Sequence, residues 1–459
     1  MNAVPTTPTP RAVAHARQRC IVPGCEHSFD INDRIYVCTK CGGPLEIEID
    51  LSSISKPAEL RSVWRERALS SEARDKSGVW RHRELLPFAA DAQVVTLFEG
   101  NTPLYDAPRS AEYASLDALR LKHQGCNPTA SFKDTGMTAA VTQARLLGAQ
   151  TVVCASTGNT AASLAAYAAR AGMQCAILLP FGQVSAAKLA QSMDYGAAIR
   201  EIDGNFDDCM RLIQELASEP SIYVANSINP FRIEGQKTVA FEILEQYGWR
   251  VPDHVVVPGG NLGNSSALGK GFGEMKRLGL IDKLPKISVV QAEGAAPLAH
   301  LFSSSASKGE QIQFVHHPNT LATAIKIGSP VSWKKALRAV LESGGEVLSV
   351  TETELADAKA IIGRDGIGCE PASAATLAGI KKLVAAGKIK KNETVVAVLT
   401  GHVLKDPDYV SNYHRGTLAI EMHEAGKPAR REAIHGKFPN LPVRVAADKK
   451  SIVESLKRG

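Results

Sequence analysis

Long hydrophobic runs are missing from this sequence. No apolar stretch in its 459 residues approaches the roughly 18 that a membrane span needs, and the opening MNAVPTTPTPRAVAHARQ lacks the apolar core of a secretory signal. A cytoplasmic protein with no membrane partner is expected. Aromatic residues are scarce, at 5%, and no long basic run has aromatics interleaved with it, so a nucleic-acid groove is not expected. The 53 basic and 47 acidic residues nearly cancel, leaving +6 over a large surface. No GxxxxGK[ST], GxSxG or HExxH occurs, which removes support for nucleotide hydrolysis, for a serine nucleophile elbow and for a zinc-protease helix. What remains, 44% hydrophobic and 22% charged, is ordinary for a globular enzyme of two to three packed units.

Four of the nine cysteines fall within the first 41 residues. Cys20 and Cys25 enclose four residues, Cys38 and Cys41 enclose two, and Gly42 and Gly43 follow the second knuckle. Thiolates so spaced can close a tetrahedral zinc site, and a segment of this size without a core of its own would gain its stability from the metal. Residues 19–50 are therefore expected to form a zinc-ribbon-like module held by four cysteines, with His27 as a spare ligand. The alternative is a metal-free remnant with free thiols. Either way the role is structural, because four protein ligands leave no position open for chemistry. Cys126, Cys154, Cys175, Cys209 and Cys369 are scattered and read as reduced thiols.

Downstream, short apolar runs alternate with amphipathic helices: a strand from Thr151, a helix over Thr160 to Arg170, a strand over Gln174 to Pro180, a helix over Ala186 to Tyr195. That alternation predicts an α/β fold of doubly wound, mostly parallel sheets, in which ligands bind beyond the carboxyl ends of strands. The arginine-rich helices between residues 51 and 97 are expected to pack across the outside of the body. Three loops follow strands. Ser156-Thr157-Gly158-Asn159-Thr160 offers hydroxyls, a free backbone N–H and an amide, suited to a carboxylate and a phenolic oxygen. Gly259-Gly260-Asn261-Leu262-Gly263-Asn264, opening a helix from Ser266, is a phosphate cup. Thr400-Gly401-His402 is the third. A dinucleotide reading of the cup fails on spacing: its glycines do not fall as GxGxxG, and Glu293 lies too far along to hold a ribose.

Lys133 sits where Asn127-Pro128 turns the chain into a small-residue helix. At a helix N-terminus the macrodipole disfavours a second positive charge and helps keep an amine neutral. A neutral amine is what a Schiff base with a carbonyl cofactor requires.

Taken together, Ser131-Phe132-Lys133-Asp134, the Ser156–Thr160 loop, the Gly259–Asn264 cup and Thr400-Gly401-His402 resemble the signature of pyridoxal-phosphate enzymes of the tryptophan synthase β fold type. Within that group the run from Asn226 through Arg232 to Lys237, the stretch Gly401 to Asp406, and the cysteine-rich start leading into Gly42 and Gly43 resemble the threonine synthase family. The resemblance covers roughly residues 20 to 415; the long first knuckle and the tail beyond residue 425 depart from it. It implies two sheet lobes of PLP fold type II. These are a larger cofactor lobe from 51–134 and 253–424 and a smaller substrate lobe from 135–252, with a disordered start over 1–18 and an accessory tail over 425–459.

The resemblance further implies that Lys133 holds pyridoxal 5'-phosphate and moves protons, that Asn159 faces its phenolic oxygen, that Gly259, Gly260, Asn261, Leu262, Gly263 and Asn264 hold its phosphate, and that Thr400 faces its ring nitrogen. Ser156, Thr157 and Thr160 would take a substrate carboxylate, and Asn226, Ser227 and Arg232 a second phosphate, that of O-phospho-L-homoserine, since a guanidinium matches phosphate bidentately. A plainer reading of Arg232 is an ion pair with Glu234 or Glu242. A homodimer is usual in that family. The rival activities are a phosphoserine-dependent β-replacement of the cysteate synthase kind and a serine or threonine dehydratase; the rival from another class is a non-catalytic scaffold on an inherited fold.

Overall fold

The computed structural model describes residues 15–182, 186–304, 312–422 and 428–457. Residues 1–14 of the start expected to be disordered lie outside the described residues, but strand β1 (Ala16–Cys20) begins inside that segment. It pairs antiparallel with β2 (Ser28–Asp30) and β3 (Leu45–Ile49).

Two sheets build the body. Strands β4 (Leu104–Asp106), β5 (Arg120–His123), β10 (His254–Pro258), β11 (Lys286–Ala292), β12 (Val347–Val350) and β13 (Val395–Leu399) make a six-stranded sheet in the order β12-β11-β10-β13-β5-β4, parallel except for β4 at its edge. Strands β6 (Thr151–Ala155), β7 (Gln174–Pro180), β8 (Ala198–Ile202) and β9 (Ile222–Val224) make a smaller, wholly parallel sheet in the order β8-β7-β6-β9. Central strands of such sheets are covered on both faces and so read as unbroken apolar runs. Accordingly β10 and β13 are buried throughout. Their side chains alternate between two cores, Val255, Val257, Val396 and Val398 on one face, Val256, Val395, Ala397 and Leu399 on the other.

The arginine-rich segment lies only partly on the outside: its first helical stretch exposes Arg65, Glu66 and Leu69, but the stretch around Trp80 is internal. Trp64, Trp80, Leu85 and Leu86 are fully buried, and Trp80 Nε1 donates to Thr138 Oγ1 at 2.7 Å, inside the helix that carries Lys133. The arginines around Trp80 misled because they find acids: Arg81 pairs with Glu245 at 2.5 Å and Arg83 with Asp75 at 2.6 Å. Charge in the sequence marked an internal network rather than a solvated face.

The ribbon's four cysteine sulfurs lie within 4.8 Å of one another, with Cys20 and Cys41 3.5 Å apart and Cys25 and Cys38 3.7 Å apart. Zinc–sulfur bonds of about 2.3 Å in a tetrahedron place sulfurs about 3.8 Å apart, so this donor set fits a structural zinc ion. A Cβ on Gly43 would fall 3.2 Å from Cys41 Sγ and 3.3 Å from Cys20 Sγ, which explains why glycine follows the knuckle.

The ribbon also straddles both lobes. Arg34 donates to the carbonyls of Leu147 and Pro220, and Tyr36 Oη accepts from Val224 N at 2.8 Å, all beside the small sheet. On the other side Lys270 and Lys335 donate to the carbonyls of Ile47 and Leu45, and Arg338 pairs with Glu46. A chelator, or Cys38→Ser, is expected to melt the ribbon first and weaken this clamp. Scanning calorimetry should then resolve a transition below the main one, or a lowered main one; a thermogram unchanged by metal removal would rule out a metal-held ribbon.

Candidate active site

Five loops leave the carboxyl ends of parallel strands and converge. After β5 the chain reaches the helix Lys133–Leu146, whose first residue is the lysine. Asp134 fixes this entry: its carboxylate accepts from Thr129 N at 2.7 Å, Thr129 Oγ1 at 2.6 Å and Ser163 Oγ at 2.6 Å. Burial still pushes Asp134 up to about 6 against those bonds. The lysine loop then pairs with the loop after β13, through Phe132 N to Thr400 O at 2.8 Å and His402 N to Ala130 O at 3.0 Å. Lys133 and Thr400 are thereby neighbours.

Lys133 keeps a partial exposure although protein surrounds it. Burial and the Arg232 guanidinium bring its amine down to about 7, with Glu370 opposing them. Its Nζ lies 4.2 Å from the Phe132 ring centre, and among the described residues no carboxylate forms an ion pair with it.

Asn159, the first residue of the helix Asn159–Ala171, donates through Nδ2 to Glu370 Oε2 at 2.9 Å, and Thr400 Oγ1 donates to Glu370 Oε1 at 2.9 Å. Ser373 Oγ lies 3.1 Å from Thr400 Oγ1 and accepts from Thr400 N at 2.8 Å. A Cβ on Gly401 would fall 2.4 Å from the Glu370 carboxyl carbon, so glycine there makes room for the acid. Burial raises the Glu370 carboxyl above its usual range, against the bonds from Asn159 and Thr400. Sequence reading missed Glu370 and Ser373. The one local signal was an acid before Pro371, at the start of the helix Pro371–Ala385.

The cup begins its helix three residues earlier than expected, at Gly263 rather than Ser266, because Leu262 takes a left-handed conformation, φ 64°, and turns the chain there. The N–H groups at the opening are thus those of Gly263, Asn264 and Ser265. Glycine is required before them: a Cβ on Gly259 would meet Val289 Cγ1 at 2.6 Å, and one on Gly260 would meet Ala324 O at 3.1 Å. Asn264 is buried at 4% exposure with neither amide atom partnered. An orphaned amide at a helix N-terminus, behind a glycine cradle, is a site short of an anion.

The fifth loop brings Arg232. It is 3% exposed, pairs with neither Glu234 nor Glu242, donates from Nη1 to Ala225 O at 3.1 Å and leaves Nε unpartnered. Burial lowers it to about 10. A buried guanidinium without a carboxylate is costly unless an anion arrives. Ser227 Oγ accepts from Asn261 Nδ2 at 3.2 Å, tying this loop to the cup. Asn226 has both amide ends on Ala155, accepting from its N at 3.1 Å and donating to its O at 3.1 Å, so it holds the end of β6. Ser156, Thr157 and Thr160 lie at the opening of the helix that follows, with Thr160 buried at 9% exposure. Close helix packing sets the spacing: a Cβ on Gly235 would lie 1.8 Å from Thr135 O.

Residues 95–401 match the family described as "Pyridoxal-phosphate dependent enzyme". The "Threonine synthase" of Methanocaldococcus jannaschii is 48% identical over 405 residues, 88% of this chain and 96% of that protein. That of Synechocystis is 45% identical over 341 residues, covering 74% and 86%. The chain belongs to the threonine synthase family of pyridoxal-phosphate dependent enzymes. Members of other activities share the fold: a fungal L-serine ammonia-lyase from Rhizomucor miehei superposes with a TM-score of 0.58 at 19% identity over 70% of this chain and all of that one. Maize serine racemase superposes at 0.57 with 21% identity, covering 69% and 92%. The residues of this threonine synthase family member fit the cofactor, on the strength of the orphaned Asn264 amide, the glycine cradle and the uncharged-leaning Lys133 amine.

Proposed function

We propose that the protein converts O-phospho-L-homoserine and water to L-threonine and phosphate by γ-elimination and β-hydration. Arg232 carries this reading: a buried cation with an unpartnered Nε beside Lys133 is suited to a second phosphate, distinct from the one the cup takes. When bound, pyridoxal phosphate supplies an aldehyde for amines and an electron-withdrawing ring that acidifies the substrate's α- and β-carbons. Lys133 Nζ, with a substantial neutral fraction near pH 7, takes the α-proton and returns protons to the carbon skeleton. Gly259 to Asn264 hold the cofactor's phosphate through backbone N–H groups and the Asn264 amide. Asn159 faces the phenolic oxygen. Thr400, braced by Ser373, faces the ring nitrogen as a neutral hydroxyl and leaves it largely unprotonated. Ser156, Thr157 and Thr160 take the substrate carboxylate at a helix N-terminus. Ser227 and Arg232 hold the departing phosphate while its bond breaks, and Asn226 positions the loop that reads the carboxylate. The same reading takes the protein to be a cytoplasmic homodimer; light scattering of the purified chain tests its size.

Phosphate release with phosphohomoserine, followed by identification of the amino-acid product, tests the function. O-phospho-L-serine is run in parallel, since one methylene is worth only about 1–3 kcal/mol in a pocket. Faster phosphate release from phosphoserine would transfer the assignment to a β-replacement enzyme.

Glu370 joins the proposal as a positioning residue that aligns Asn159 and Thr400. Glu370→Ala leaves the buried Thr400 hydroxyl and the half-buried Asn159 amide without a shared partner, a cost of about 1–3 kcal/mol, roughly 5- to 150-fold in cofactor affinity. Glu370→Gln, which keeps the shape, an acceptor for Asn159 and an N–H that the Thr400 hydroxyl can accept, should recover most of that loss. Cofactor dissociation measured by equilibrium dialysis reads both, and wild-type affinity in Glu370→Ala removes the residue from the site.

A further inference from the structure

A cavity of about 370 Å³ lies between the helices Glu352–Arg364 and Pro407–Arg415, and the returning tail closes it with Phe438, Pro439 and Asn440. Its volume falls in the range of small-molecule sites. The tail is held there by specific bonds: Lys437 N donates to Asp357 Oδ1 at 2.8 Å, Phe438 N to Tyr413 Oη at 3.2 Å, and Asn440 N to His414 Nδ1 at 3.0 Å. Before it arrives there, β14 (Ala419–Met422) has paired with β15 (Arg430–Ala433), and Ile434 is buried against the large lobe. A segment expected to be accessory therefore builds one wall of a cavity.

The described lining is one-sided in charge. Lys359, Arg364 and His414 face the cavity and no Asp or Glu does. Lys359 is only 8% exposed, yet among the described residues it makes no hydrogen bond or ion pair. Arg364 rests over the Phe438 ring, 5.0 Å from its centre, with no carboxylate partner among the described residues. Because His414 Nδ1 accepts from Asn440, its Nε2 is left as the donor. Tyr409, 7% exposed, has a buried hydroxyl with no partner. Nearby acids are committed: Asp357 bonds Tyr413 Oη at 2.8 Å as well as Lys437, and Asp365 accepts from Arg109 N and Ser110 N at 2.9 Å. Burial lowers Lys359 against the opposing charges of Cys369 and Asp406, and burial with the charges of Lys359 and Arg364 lowers His414.

We propose that this cavity is a second ligand site, separate from the catalytic one, which binds a small molecule through a phosphate group. Two convergent cations, Lys359 and Arg364, with the His414 Nε2 donor and the Tyr409 hydroxyl beside them, match a phosphate dianion, while the Arg364–Phe438 surface gives a planar body something to lie against. The floor of the cavity is Gly368 and Cys369, directly before Glu370, and Gly368 O accepts from His123 Nε2 at 2.9 Å. An occupant therefore touches the backbone that carries the acid between Asn159 and Thr400.

Calorimetric titration of the cofactor-loaded full chain with AMP tests this, with adenosine as the uncharged control. AMP should bind at least tenfold more tightly than adenosine, and Arg364→Gln and Lys359→Gln should each weaken AMP at least tenfold while kcat without AMP stays at the wild-type value. Arg364 is exposed, so its variant folds even where the buried Lys359 substitution does not. Inorganic phosphate that displaces AMP identifies free phosphate as an occupant too; phosphate that leaves bound AMP in place identifies the ester. Equal affinity for AMP and adenosine, the same AMP affinity in Arg364→Gln as in wild type, or no binding of either probe at millimolar concentration overturns the site.

Discussion

Lys133→Ala should lose turnover by at least about 10³-fold in kcat/KM, the upper range for removal of a general base, and should lose the visible absorbance of the lysine-bound cofactor. The cup does not involve Lys133, so the variant should still bind pyridoxal phosphate weakly and remain folded. Full activity in Lys133→Ala would sink the assignment. The same amine leaves a mark on the cofactor-free protein. Burial holds the folded-state pKa near 7, below the ordinary lysine value of 10.5. Between those values the unfolded chain binds the additional proton, so stability rises with pH through that window, by up to about 1.4 kcal/mol per unit. Below 7 both states are protonated and the full cost of burying the charge is present. Denaturant titrations of cofactor-free wild type and Lys133→Ala from pH 6 to 10 should diverge with that sign; parallel curves would mean that the amine is not desolvated.

How much of this was legible beforehand differs by element. The strands β6, β10 and β13 stood out as short apolar runs, and the loops after them were singled out because helix N-termini and glycines have local signatures. Lys133 and the cup were proposed from the same kind of signal. Glu370 was not, because nothing local distinguishes an acid before a proline that caps a helix from one that lies between Asn159 and Thr400; that contact spans 211 residues of sequence. The segment around Trp80 was misplaced for the related reason that its arginines meet Glu245 and Asp75 only in three dimensions. Asn226 was read as a ligand for phosphate, yet its amide is spent on Ala155, since the end of β6 left backbone groups that needed partners. Local chemistry announces anion sites; which buried polar groups close which gaps is decided by packing between distant strands.

Arg232→Gln separates a phosphate-gripping role from a structural one. The guanidinium holds a single backbone carbonyl, so a purely structural arginine would be a poor use of a buried charge. Removing it should leave the melting temperature of the loaded, substrate-free protein unchanged or higher, because an uncompensated cation has been taken from the interior. Activity should move the other way: kcat/KM for phosphohomoserine should fall by about 10²–10³, the usual effect of deleting one donor to charge that develops at the reacting centre. Arg232→Lys should recover little of it, since an ammonium cannot present two parallel N–H groups to one phosphate. The loss should also be selective. Slow elimination from L-serine, which carries no phosphate, uses Lys133 and the carboxylate loop alone and should survive the substitution. Equal losses on both substrates, together with a lowered melting temperature, would make Arg232 a scaffold residue and leave the second phosphate without a holder.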